Sequence, residues 1–300
     1  MDADYLIDRA RLKRRIQVWR TLSIVIFLLL GLLFVIKFEG IFTEDYIARI
    51  KIENLIYNDP KRLAAIDKAL RDKNAKALIV RINSAGGTIV GGEALFKTIS
   101  RFRKEKPVIA VMEELATSAG YLVAVSANRI YAHEGTVTGS IGVIFKAAEV
   151  TELLKKLGIK FELIKSSPLK SEPSPFSKFT PMAKKATKSL VEDMYKMFVR
   201  IVSERRKIKV ENVRRIADGR LFTGRMAVAN GLVDQIGDER QAKLWLEKKI
   251  NAQNPIPIRD INIQREASDW LQFLTANMPK TPFSEGLILD GLVSVWHPWN

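Results

Sequence analysis

The 300-residue chain carries 49 lysines and arginines against 33 acidic residues, a net charge of +16, with no cysteine and two histidines. These counts exclude a disulfide framework, a thiolate nucleophile and any cysteine metal site, and they leave too few histidines for a multi-histidine centre, so no metal and no cofactor is expected. A hydrophobic fraction of 47% supports a sizeable core, and the length allows one large domain or two small ones.

The basic excess is partly local. Arg9, Arg11, Lys13, Arg14, Arg15 and Arg20 crowd the start of the chain, whereas later bases alternate with acids along predicted helices such as 184–206. A helix of mixed charge reads as a solvated face, so no nucleic-acid partner is expected. Thr21 to Ile36 then runs without a charge. It is shorter than the roughly 20 residues of a bilayer span, but Trp19, Arg20, Lys37 and Phe38 supply the snorkelling and aromatic flanks that lengthen one. A cleaved signal peptide would end in a small-x-small site, and Phe38-Glu39-Gly40-Ile41-Phe42 offers none. Residues 1–18 therefore read as a basic cytoplasmic tail and 19–38 as an uncleaved transmembrane anchor in the inner membrane. The positive-inside rule leaves the remainder extracytoplasmic.

From Tyr46 onward β and α patterns alternate. Residues 47–52 alternate like a strand. Pro60 to Asp72 reads as a helix capped by Asp59. Residues 77–82 form a short buried strand, 83–88 a loop, and 91–104 a helix. Pro107 to Met112 is the next strand, and Ala119 to Ala127 a helix of small and apolar residues. Residues 129–132 are a short strand, and the glycines of 138–144 mark close backbone packing. Helix 150–157, strand 160–164 and a proline-punctuated loop, 166–181, follow. The remainder reads as a long amphipathic helix 182–206, shorter helices over 210–217 and 219–230, a strand 232–236 and a helix 239–250. After Asn251 the chain reads as irregular. Repeated strand–helix order predicts an α/β fold with right-handed parallel βαβ units.

Ser118 stands where an apolar strand turns into a helix, among residues too small to cover its hydroxyl. A serine there is either a plain N-cap or a nucleophile beside helix N–H groups that can receive an oxyanion. A nucleophile needs a base. His133 and His297 are the available histidines, one in a turn after a strand and one in an aromatic tail, and each has a bland structural reading. A lysine can serve if burial depresses its pKa by about three units. Lys170, in the proline-bounded loop near Leu169 and Phe176, meets that description, although most lysines in a basic protein are solvated. Gly86-Gly87 reads either as a turn or as a backbone donor site that lets N–H groups approach a ligand closely.

Four segments in order carry a resemblance: Arg81-Ile82-Asn83-Ser84-Ala85-Gly86-Gly87, Ala116-Thr117-Ser118-Ala119-Gly120-Tyr121, Thr138-Gly139-Ser140-Ile141-Gly142-Val143 and Lys170-Ser171-Glu172-Pro173-Ser174-Pro175-Phe176. Together with Leu221-Phe222-Thr223-Gly224-Arg225 and Ala229-Asn230-Gly231-Leu232-Val233-Asp234, they resemble the SppA-type signal peptide peptidases over roughly residues 46–245. The resemblance implies a ClpP/crotonase-like fold of repeated ββα units and a peptidase domain over 39–250. It implies a serine endopeptidase with Ser118 as nucleophile and Lys170 as general base. Gly87 and Ala119 would present the oxyanion-hole N–H groups, with Gly86 and Gly120 shaping the substrate loop. It further implies apolar signal peptides as substrates and a homo-oligomer, by analogy an octameric ring, in which serine and lysine come from different subunits. Ala85 stands where the family usually has proline, Ala119 where it has glycine and Leu169 where it has tyrosine. None of these departures removes a catalytic group. A non-catalytic membrane scaffold and a crotonase-like acyl-CoA enzyme are the competing classes. Residues 251–300 are an extension to which the sequence assigns no role.

Overall fold

The computed structural model describes residues 16–30, 44–263 and 293–295. The chain divides into two units, Met1–Asp45 and Tyr46–Asn300. In the first, residues 16–30 are helical (α1) and exposed throughout. The hydroxyls of Thr21 and Ser23 donate back to the carbonyls of Gln17 and Trp19 at 3.0 and 2.9 Å, so neither is left without a partner in an apolar stretch. Among the described residues no helix is long and apolar enough to cross a membrane. Residues 31–38 of the expected anchor lie outside the described residues.

The second unit is built on a mixed sheet. Strand β1 (Tyr46–Ile56), helix α2 (Pro60–Arg71), β2 (Ala75–Thr88), α3 (Ile89–Glu105), β3 (Val108–Thr117), α4 (Ala119–Ala124) and β4 (Arg129–Ala132) succeed one another. The four strands pair in parallel, as the alternating pattern predicts. Side chains of β2 and β3 alternate between two cores. Leu78, Val80, Ile82, Ala110 and Met112 face one, while Ala77, Ile79, Ile109 and Val111 face the other. Burial on both faces is why these runs are continuously apolar rather than alternating with polar residues. The α2 start follows from Asp59, whose carboxylate accepts the Arg62 N–H at 3.1 Å, with Pro60 in the first turn.

β3 is the strand on which the sheet forks. Its first half pairs with β4, and its last residues, Leu115 to Thr117, pair with β5 (Val137–Gly139). Next come α5 (Thr151–Lys156), the long α6 (Pro181–Arg206), α7 (Val210–Ile216), β6 (Leu221–Thr223), α8 (Gly224–Ala229), β7 (Gln235–Ile236) and α9 (Glu239–Lys249). β6 pairs antiparallel with β5, and β7 pairs parallel with β4. Buried Ala242 and Leu246 of α9 cover the second core. The Arg206 guanidinium grips both oxygens of Asp234 at 2.8 and 2.9 Å. Asp234 also accepts the Ile130 N–H at 2.7 Å, which fastens the end of α6 to the start of β4.

Several expected elements differ. Residues 83–88 are not a loop but the end of β2. After a register shift the backbone keeps pairing, Leu55 with Gly86 and Ile56 with Gly87, so the ladder supplies what glycine propensity does not. Residues 160–164 are irregular rather than a strand. Phe161 and Leu163 are 47% and 45% exposed, and no strand of the described residues pairs with them. The expected helix 219–230 splits into β6 and α8, because Gly219 turns the chain at φ +89° and β5 captures the next residues. The stretch after Asn251 holds two strands. β8 (Ile258–Asp260) lies beside β1, and β9 (Val293–Val295) runs antiparallel to the end of β2.

Candidate active site

Ser118 occupies the turn from β3 into α4 with φ 53° and ψ −118°, a region that residues with a side chain rarely enter. Small neighbours alone do not require this. The requirement comes from the sheet, because β3 must stay paired to β5 through Thr117 while α4 leaves at once to pack on the core. The Ser118 N–H is committed to the Gly139 carbonyl at 2.9 Å, and its carbonyl receives the Leu122 N–H at 2.9 Å. It stands at the N-cap position, yet its hydroxyl makes no capping bond, so the plain cap reading is not realised. Such a strained strand-to-helix elbow is how other folds present a nucleophilic serine.

The glycine segment is fixed against this elbow by polar side chains that the sequence reading passed over. Thr117 is buried, and its hydroxyl donates to the Ala85 carbonyl at 2.9 Å. The Ser84 hydroxyl accepts the Gly86 N–H at 3.1 Å and donates to the Asn54 carbonyl. Buried Thr138 donates to the Ala116 carbonyl at 2.7 Å from the other side. Hydroxyls that repeatedly bond to main chain around a buried serine were the available signal, present as Ser84, Thr117 and Thr138 in the quoted motifs.

Gly86 has φ +117°. A Cβ on Gly87 would stand 2.0 Å from the Ile56 carbonyl oxygen, so β1 and β2 touch there backbone to backbone. Gly120 presses α4 onto β2, where an added Cβ would meet the Ser84 carbonyl at 3.0 Å. Gly87→Ala is therefore expected to lower stability by about 1–3 kcal/mol through overpacking. It should cost activity as well, since the displaced strand is the one beside Ser118. Thermal melting and peptide turnover of the purified variant test both effects.

Lys170 lies in the irregular segment between α5 and α6, is exposed, and donates its N–H to the Ser167 carbonyl at 3.1 Å. Burial among Leu169 and Phe176 is not observed. Leu169 is 43% exposed, and Phe176 stacks instead on Phe161 with ring centroids 4.5 Å apart. Within one chain the described contacts do not join Lys170 to the buried Ser118, because no element of the same unit covers the loop. His133 is exposed in the β4–β5 turn, its main chain bonded to Thr136, as its bland reading has it. His297 lies outside the described residues.

The Lys170 loop is braced from within. Glu172 is 5% exposed and accepts from Lys165 and, at 3.1 Å, from the Ser177 hydroxyl. The Lys165 ammonium, and after it the Ser177 hydroxyl, outweigh desolvation and hold the Glu172 carboxyl below its ordinary range. A depressed carboxylate stabilises the fold fully above its unfolded value, about 4.3, and that contribution is lost as pH falls through the lower folded value. Acidification below pH 4 should thus loosen residues 165–177 ahead of the core. Limited proteolysis across a pH series should show it, and Glu172→Gln should make the loop equally susceptible at neutral pH.

Beside Ala119, the side chains of Ile89, Leu122, Val143, Met194, Met197 and Phe198 line a small apolar cavity. α4 is held from its far end by Arg205, which donates to the carbonyls of Val125, Ser126 and Ala127, and whose pKa burial lowers to about 10. Among the described residues no group of acidic and histidine side chains could hold a metal ion.

Comparison with known proteins places this arrangement. Peptidase family S49 matches residues 100–253, just over half of the chain. A candidate protease of Synechocystis sp. is 36% identical over 206 residues, covering 68% of this chain and 74% of the relative. A candidate signal peptide peptidase SppA of Enterococcus faecium is 34% identical over 218 residues, covering 72% of this chain and 63% of the relative. A ClpP1 mutant from Listeria monocytogenes aligns at a TM-score of 0.43 with 16% identity, over 64% of this chain and 92% of that one. On the family match and the extent of the Synechocystis alignment, the chain belongs to peptidase family S49, as an SppA-type serine protease.

Proposed function

We propose that the chain is a membrane-anchored serine endopeptidase that cleaves extended, apolar peptides such as signal peptides left in the bilayer. The observation that carries the reading is Ser118, held at a strained elbow without a capping bond and beside a glycine-edged strand. Ser118 attacks the scissile carbonyl. Lys170, in its neutral form, takes the hydroxyl proton and passes it to the leaving amine, and water then hydrolyses the acyl-enzyme. The Ser118 N–H is bound to Gly139, so the oxyanion donors fall to Ala119, at the start of α4, and Gly87. Gly86 and Gly120 keep β2 and α4 close enough for both donors to reach one oxygen.

The apolar cavity against Ala119 supports an apolar side chain just before the scissile bond, with Met194 and Met197 as adaptable walls. Lys170 is exposed in the isolated chain, and the surrounding apolar side chains, Leu157, Ile159, Leu163 and Ile164 among them, are exposed with it. A second copy covering that surface would both bury the lysine and bring it to a neighbour's Ser118, within a closed ring such as an octamer. The anchor is residues 19–38, with the basic residues before it on the cytoplasmic side and the peptidase domain extracytoplasmic.

A fluorophosphonate probe tests the reading. It should label the wild-type chain at Ser118, found by peptide mapping, and a library of peptides should be cut after apolar residues. Labelling spread over other serines, or none, would sink the assignment.

A further inference from the structure

β9 sits on a part of β2 that has one free edge. Over Gly86 and Gly87 one edge of β2 is taken by β1, through the Leu55–Gly86 and Ile56–Gly87 pairs. The other edge belongs to β3 only as far as the Ser84–Ala116 pair. Two residues further on, β3 has reached Ser118 and turned away into α4. β9 pairs with Gly86 through Val295, with Gly87 through Ser294 and with Thr88 through Val293, so it must lie on the edge that β3 vacates. It therefore continues the row of β3, in the opposite direction, from the point where Ser118 leaves the sheet.

An extended peptide recognised through its main chain would add to this same edge. Its backbone would bond to the glycine strand, and its reacting carbonyl would come beside Ser118 and the Gly87 N–H. We propose that the segment bearing Val293–Val295 occupies in cis the track of the peptide substrate, so that the chain carries a built-in competitor for its own site. The inference rests on the peptidase reading above and adds to it a regulation that the reading does not require. The occupant is a stretch of the same chain that the sequence left without a role. Its tether holds it at an effective concentration on the order of millimolar, so that even a weak strand competes. Main-chain pairing also explains how such a segment can compete with many peptide sequences, since the ladder does not depend on side-chain identity.

Proline substitutions in the full-length chain test the proposal. Successive residues of a strand turn their N–H groups to opposite sides, so Val293→Pro with Val295→Pro, or Ser294→Pro alone, removes the donors that face β2. In the variant that loses those donors, amide exchange at Gly86, Gly87 and Thr88 should quicken. Its KM for a short extended peptide should fall by about two- to tenfold with kcat unchanged. Exchange at Gly86–Thr88 equal to wild type in both variants, or an unchanged KM in both, overturns the proposal. Fluorophosphonate labelling of Ser118 separates the two layers. Labelling at Ser118 with unchanged KM removes only the competitor, whereas the absence of labelling in every chain removes the peptidase reading itself.

Discussion

Ser118→Ala is expected to lower kcat/KM by about four orders of magnitude or more, the scale of losing a nucleophile that works as a unit with its base. It should leave the melting temperature nearly unchanged. Ser118→Gly should be as inactive and yet more stable than wild type. The serine holds φ 53° and ψ −118°, and such a conformation costs a residue with a side chain about 1–3 kcal/mol. Glycine adopts it freely but gives back about 0.5–1 kcal/mol in unfolded-state entropy. A net gain of about 1 kcal/mol corresponds to roughly 2–4 °C for a domain of this size. Alanine keeps the strain and so should not share the gain. Calorimetry of the three proteins alongside peptide turnover decides it. A glycine variant less stable than wild type would mean that the elbow is not strained, and a turning-over alanine variant would remove Ser118 from the chemistry.

The second large effect concerns Lys170. Lys170→Ala alone should be as inactive as Ser118→Ala. Mixed in equal amounts under conditions that allow subunits to exchange, the two dead variants should recover about a quarter of wild-type activity. Random assortment in a ring pairs an intact serine with an intact lysine at one site in four. The structural basis is the separation of the two groups within one chain, where Ser118 is buried at the sheet while Lys170 is exposed on a loop beside other exposed apolar side chains. No recovery on mixing, with each parent inactive and correctly assembled, would place both residues of a site in one subunit.

The central layer of the fold was legible because its residues answer to one dominant force. Runs such as Ala77–Ile82 and Pro107–Met112 are buried on both faces, and no competing preference disturbs a Val- and Ile-rich strand. The ends of those strands were not legible. Residues 83–88 carry a composition that favours turns, and only pairing with β1, thirty residues earlier, makes them extended. The stretch 160–164 erred the other way, with a strand pattern but no neighbour to complete it. Ser118 and the glycine pair could be picked out because small residues at a strand–helix junction are chemically conspicuous. The hydroxyls of Ser84, Thr117 and Thr138 could not, since a threonine inside a strand is ordinary until its carbonyl partner is known. Burial of Lys170 was inferred from near sequence neighbours, whereas burial depends on what lies across the loop.

The contact between Gly87 and the Ile56 carbonyl bears on how selectivity can change. On the β2 side of the cleft a side chain at 87 would collide with β1, and the positive φ of Gly86 disfavours one there as well. That wall is thus closed to mutational exploration, and it reads only the backbone of whatever lies on it. The opposite wall, formed by Leu122 with Met194, Met197 and Phe198 of α6, tolerates changes of volume and polarity. Any retargeting of this protease, by drift or by design, is channelled through α6, with the chemistry and the choice of substrate residing on opposite sides of one groove.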